Sequence, residues 1–82
     1  MITVELLLFA QLREALGKDR EVLKVEEGHT IDEVVALLKT RDEWQGFASL
    51  PLTFAVNERV VAGTHRLNDG ERLAILTPVS GG

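Results

Sequence analysis

The chain has 82 residues and carries nine Lys and Arg against thirteen Asp and Glu, a formal net charge of −4. At 45% hydrophobic and 27% charged residues it reads as globular rather than disordered, and residues 1–82 are expected to form a single domain. With no cysteine, it has no disulfide scaffold, thiol nucleophile, Cys-ligated zinc or iron–sulfur cluster.

Residues 2–9, Ile-Thr-Val-Glu-Leu-Leu-Leu-Phe, predict a strand. Val4, Leu6 and Leu8 fall on one face, and Thr3, Glu5, Leu7 and Phe9 on the other. Residues 10–16 suit two helical turns, with Gly17 as the natural stop. Residues 21–25 predict a second strand. Thr30-Ile31-Asp32-Glu33 is a capping box, and Ile31, Val34, Val35 and Leu38 follow at helical spacing, so the main helix is expected over 31–40. Residues 41–51 read as irregular, with one turn around Trp44.

Residues 52–57 predict a third strand, and Val60-Val61 a short fourth after a turn at Asn57-Glu58. Asn68-Asp69-Gly70 is a further turn. Arg72 to Thr77 predict the last strand, with Leu73 and Ile75 on one face, Ala74 and Leu76 on the other, and Pro78 as its end. This order suits an α+β fold in which one main helix packs on one face of a mixed sheet.

The acidity is concentrated in residues 1–43, which hold ten acidic and six basic groups; residues 44–82 hold three of each. Solubility explains this, as does attraction to a basic protein surface. No basic cluster interleaved with aromatics supports nucleic-acid binding. No apolar run approaches the roughly 20 residues of a membrane span. The start, Met-Ile-Thr-Val-Glu, lacks a basic signal region, so the expected compartment is the cytoplasm, away from membranes.

Conventional catalysis finds little support. His29 and His65 fall in predicted loops without carboxylates at ligand spacing, so they read as solvated histidines and no metal site is expected. The glycines form no phosphate-binding motif. Ser49 and Ser80 lack a nucleophile elbow. Asp32, Glu33, Asp42 and Glu43 are accounted for by helix ends and solvent.

The remaining candidate is the segment Pro78-Val79-Ser80-Gly81-Gly82. Glycines at an end are often merely frayed. A main-chain carboxyl on Gly82 is also a functional group, provided it is activated, for instance as an acyl-adenylate. Glycine lets the backbone pass through a narrow channel in another protein. Five residues reach at most about 16–18 Å. Residues 78–82 are therefore expected to be a flexible tail that enters a partner, with Pro78 restricting its base.

The chain resembles the small subunit of molybdopterin synthase, the MoaD family of ubiquitin-like sulfur carriers. The resemblance spans essentially the whole length. It is carried by Phe9-Ala10-Gln11-Leu12-Arg13-Glu14, Ala55-Val56-Asn57, Leu67-Asn68-Asp69-Gly70-Glu71 and Pro78-Val79-Ser80-Gly81-Gly82. Where the family often has two prolines before the valine, the first is here Thr77, which loosens the base of the tail. The resemblance implies a β-grasp fold and a carrier with no catalytic site or permanently bound cofactor of its own. It implies an E1-like partner that uses ATP and Mg to adenylate Gly82, and a sulfur donor protein that converts the adenylate to a thiocarboxylate. It also implies a large synthase subunit, in a heterotetramer, where sulfur passes to the pyranopterin precursor. Related carriers serve thiazole synthesis or tRNA thiolation, and related modifiers are conjugated to lysines through their last glycine; both remain alternatives.

If Val4, Leu6, Leu8, Leu73 and Ile75 face the helix, Leu7, Phe9 and Leu76 lie on the other face, joined by Val60. These residues form either a partner-binding patch or a layer buried under local loops. The resemblance implies the former, with Phe9, Val60 and Leu76 as partner-binding residues. Arg13 and Glu14 either add polar contacts or support the short helix.

Overall fold

Strand alternation orients the whole sheet. In β1 (Ile2–Leu8) Ile2, Val4, Leu6 and Leu8 are buried, while Thr3 is exposed and Glu5 and Leu7 are half-buried. The computed structural model describes residues 1–47 and 49–77. The expectations for Pro78, Val79, Ser80, Gly81 and Gly82 therefore lie outside the described residues.

After β1 come α1 (Ala10–Leu16), β2 (Arg20–Val25), α2 (Ile31–Leu38), a 3-10 helix (Asp42–Phe47), β3 (Thr53–Val56), β4 (Arg59–Val61) and β5 (Arg72–Leu76). The five strands form one sheet in the order β2-β1-β5-β3-β4. β1 and β5 pair in parallel and the other neighbours are antiparallel, which gives the mixed sheet of a β-grasp α+β fold.

α2 starts where the sequence says it should. The Thr30 hydroxyl accepts from the Glu33 amide at 3.2 Å, and the Glu33 carboxylate accepts from the Thr30 amide at 2.8 Å. The loop between β4 and β5 satisfies the next amides: Ile31 donates to the His65 carbonyl and Asp32 to the Gly63 carbonyl. Ile31, Val34, Val35 and Leu38 form the buried stripe, continuous with Val4, Leu6, Leu8, Leu73 and Ile75 on one side of the sheet. α1 ends at Gly17, which takes the left-handed conformation (φ 71°) that closes a helix.

Several sequence readings need correction. The main helix stops at Leu38 rather than residue 40, and Lys39 caps it. The turn expected around Trp44 is a 3-10 helix over residues 42–47, longer than read, because Trp44 and Phe47, three residues apart, both turn inward and meet edge-to-face at 6.3 Å. The third and last strands are shorter than read, ending at Val56 and Leu76. The two histidines are not simply solvated, since both are part-buried. His65 Nε2 lies 3.3 Å from both Glu71 carboxylate oxygens, and His29 Nε2 lies 3.7 Å from Glu26.

Beside the core, Glu21 receives Lys18 at 2.7 Å and two contacts from Arg41 at 2.9 and 3.1 Å. Partial burial pushes the Glu21 carboxyl up, but the two cations together outweigh it and hold it below its ordinary value.

Candidate functional site

The second face of the sheet has no helix on it. Strand registers define its rows. Val60 of β4 stands opposite Ala55 of β3, Ala55 opposite Ala74 of β5, and Ala74 opposite Leu7 of β1. In the neighbouring row Thr53 pairs with Leu76, and Phe9 follows β1 on the same side as Leu7. In the row beyond Leu7, Glu5 lies between Arg72 and Val22.

This arrangement produces a shallow concavity of about 540 Å³. Small Ala74 lies between larger side chains: Leu7, Phe9 and Leu76 form the apolar wall, and Arg72 and Glu58 the polar one. Phe9 is 43% exposed and Val60 76% exposed, so local loops do not cover this face. Of the three residues singled out in the sequence, the structure brings Phe9 and Leu76 into one depression. Val60 lies on the same face but out at the edge strand, and does not line it.

Backbone strain flanks the concavity. Ala10, directly after Phe9, has φ 47°. Asn57 and Glu58, the two residues of the β3–β4 turn, have φ 49° and 72°. A two-residue hairpin with both centres left-handed is the type I′ turn, which suits Asn but costs Glu. Asn57 also holds β5: its side-chain oxygen accepts from the Arg72 amide at 3.0 Å, and its own amide donates to the Arg72 carbonyl.

Sequence reading missed the polar part of the site. Glu5 Oε1 is 3.2 Å from Arg72 Nε, and Glu5 Oε2 is 3.7 Å from Arg20. The signal was present: Arg72 precedes Ala74 and Leu76 at spacing two, so the alternation that exposes Leu76 also exposes Arg72. Val22, 62% exposed on β2, extends the apolar surface by the same rule. Among the described residues no group of three or more His, Asp or Glu converges as a metal site. No helix among them is long and apolar enough to cross a membrane.

The wider match decides what kind of molecule this is. A family model described as the ThiS family matches residues 6–82. The chain belongs to the ThiS family. It is thus a small ubiquitin-like sulfur carrier, and the open face just described is the open face of a ThiS-family sheet. No curated protein sequence matches this ThiS-family chain.

Solved structures agree on the fold. A candidate molybdopterin converting factor subunit 1 of Pyrococcus furiosus is 24% identical with a TM-score of 0.82, covering 96% of this chain and 100% of its own. A chain in the complex of subunits 1 and 2 of molybdopterin-converting factor from Helicobacter pylori is 21% identical with a TM-score of 0.72, covering 99% of this chain and 100% of its own. The small archaeal modifier protein 1 of Methanosarcina acetivorans is 25% identical with a TM-score of 0.74, covering 100% of this chain and 98% of its own. At these identities the likeness speaks for the β-grasp fold of this ThiS-family member, not for one pathway.

Proposed function

We propose that this chain is the sulfur-carrying small subunit of a molybdopterin synthase, with Gly82 as the residue that bears the sulfur. The observation that carries this reading is a juxtaposition. The strand whose Leu76 helps to form the apolar concavity is the one that leads, after Thr77, into Pro78-Val79-Ser80-Gly81-Gly82. A partner seated on Phe9, Leu7 and Leu76 receives the chain as it leaves β5, and a Gly-Gly end fits a narrow channel in that partner. Val60 widens the contact at the edge.

In this scheme a Gly82 carboxylate oxygen attacks the α-phosphorus of Mg-bound ATP in an E1-like enzyme, and pyrophosphate leaves. Sulfur at the sulfide oxidation level, supplied by a donor protein, then attacks the acyl carbon. AMP departs with the former carboxylate oxygen, leaving a thiocarboxylate. In the large synthase subunit the thiocarboxylate sulfur attacks a carbon of the pyranopterin precursor and displaces the oxygen substituent there, so that a C–S bond replaces a C–O bond. Water cleaves the resulting thioester and restores the Gly82 carboxylate. The carrier supplies no acid, base or metal to these steps; its work is docking and delivery.

The test is intact-mass measurement after incubation with the activating enzyme, ATP and a sulfur source. The expected result is one oxygen exchanged for one sulfur at Gly82, followed by molybdopterin formation when the large subunit and precursor are added. A variant with one alanine appended after Gly82 is expected to fail at both steps; full competence of that variant overturns the proposal. The likeness to an archaeal modifier supports a second reading, conjugation to lysines through Gly82, which isopeptide-linked products would reveal. Sulfur loading without molybdopterin formation would instead assign the chain to thiazole or tRNA thiolation.

A further inference from the structure

Over the whole chain acidic residues outnumber basic ones, thirteen to nine. The strands of the open sheet face depart from this balance. The registers place Arg20, Lys24 and Arg72 on it, and among the described strand residues of that face Glu5 is the one carboxylate. Glu5 is shared between two guanidiniums, 3.2 Å from Arg72 and 3.7 Å from Arg20. Those two side chains remain 69% and 67% exposed. Two carboxylates at its rim bring the face to parity, three cations against three carboxylates, while the rest of the chain holds ten acidic and six basic residues. Asp69 accepts from the Thr3 amide at 2.8 Å, and Glu58 sits out on the β3–β4 turn.

We infer that the open face is read by a protein partner that presents carboxylates opposite Arg20 and Arg72, around an apolar centre fitted to Leu7, Phe9 and Leu76. The inference rests on the carrier reading above and adds the charge of the surface the carrier fits. An apolar centre with a charged, solvent-exposed rim is the anatomy of a protein interface. A guanidinium offers a planar fork of donors that matches a carboxylate, and each of these two arginines is only partly satisfied by the single Glu5. The net charge of −4 lies on the rest of the carrier, so an acidic partner is repelled there and least repelled at this face, where the two exposed guanidiniums can pair with it. The charge pattern thus sets the orientation of encounter.

The test is titration of the carrier with the activating enzyme and with the large synthase subunit of the same organism, at low and high salt. Arg72→Glu and Arg20→Glu are each expected to weaken binding to at least one of them by about tenfold at low salt, mainly through a slower association rate. The salt dependence of affinity is expected to flatten in both. Glu5→Gln, which frees both arginines, is expected to bind at least as tightly as the parent. Arg72→Gln serves as the neutral variant should Arg72→Glu melt early. If all the arginine variants bind within twofold of the parent while Leu76→Glu loses binding, the acidic-partner inference is overturned and the docking face stands. If the parent binds neither protein, both fall, and the mass shift at Gly82 reports separately on sulfur loading. Self-association that Arg72→Glu abolishes would make a second copy the occupant and overturn the inference as stated.

Discussion

Phe9 and Leu76 line one concavity although they sit near opposite ends of the described chain, because each follows the outward register of two strands that run in parallel. Their side chains are thus available for contact without being needed for the core. Phe9→Ala is expected to weaken partner binding by about 2 kcal/mol, the usual scale of an aromatic anchor, and Leu76→Glu by at least as much. Melting temperatures of both variants should stay close to the parent. Titration calorimetry and thermal unfolding check the two halves of the prediction; normal binding by Leu76→Glu would remove this face from the docking scheme.

The capping box at Thr30 and Glu33 predicts a stability effect and its pH dependence. Thr30→Ala is expected to cost about 1 kcal/mol in denaturant unfolding. The hydrogen bond from the Thr30 amide holds the Glu33 carboxyl below its ordinary 4.5, and the Lys18 and Arg41 contacts, against burial, do the same for Glu21. Carboxyls lowered in the folded state stabilise it above 4.5, and that contribution is lost as pH falls through the lowered values. Unfolding free energy should therefore drop below pH 4.5, and Glu33→Gln should make the drop shallower.

Glu58 occupies a left-handed position in the β3–β4 turn, where glycine carries no Cβ penalty. Glu58→Gly is expected to stabilise the fold by about 0.5–1 kcal/mol, the left-handed penalty less the entropy glycine adds to the unfolded chain. Ala10→Gly, at φ 47° beside Phe9, is expected to act in the same direction. A rise in the denaturant midpoint without a change in slope is the readout.

Trp44 is fully buried, and its indole nitrogen has no hydrogen-bond partner among the described residues. Trp44→Ala should cost about 3–5 kcal/mol, a large share of the stability of a domain this size. Trp44→Phe should cost far less, under about 1.5 kcal/mol, because it removes the unpaired N–H along with some volume. Equal losses in the two variants would show that the nitrogen is satisfied in solution.

Features set by local chemistry are legible in the amino-acid sequence alone: the capping box, the glycine stop after α1, and the two faces of β1 and β5. Period-two alternation needs no partner strand to be read, so Leu7, Phe9 and Leu76 can be assigned to one face. The ion pair of Glu5 with Arg72 cannot, since it depends on which residues of the first and last strands stand side by side, and that register is set by the whole sheet. Ala10 gives no warning of its positive φ, because alanine is at home in helices and does not mark a left-handed start. The turn around Trp44 is legible but its extent is not: Gly46 and Gln45 suggest loose chain, and the burial of both Trp44 and Phe47 carries the 3-10 helix on to residue 47.

The centre of the sheet joins β1 directly to β5, the first and last of its strands to leave the ribosome. During synthesis β1 can pair with β2 at once, but its other edge stays open until β5 has been made. Loop closure over that span is slow compared with hairpin formation. One edge of β1 thus waits for a partner, and the sheet closes only once β5, the last of its strands in the chain, is in place.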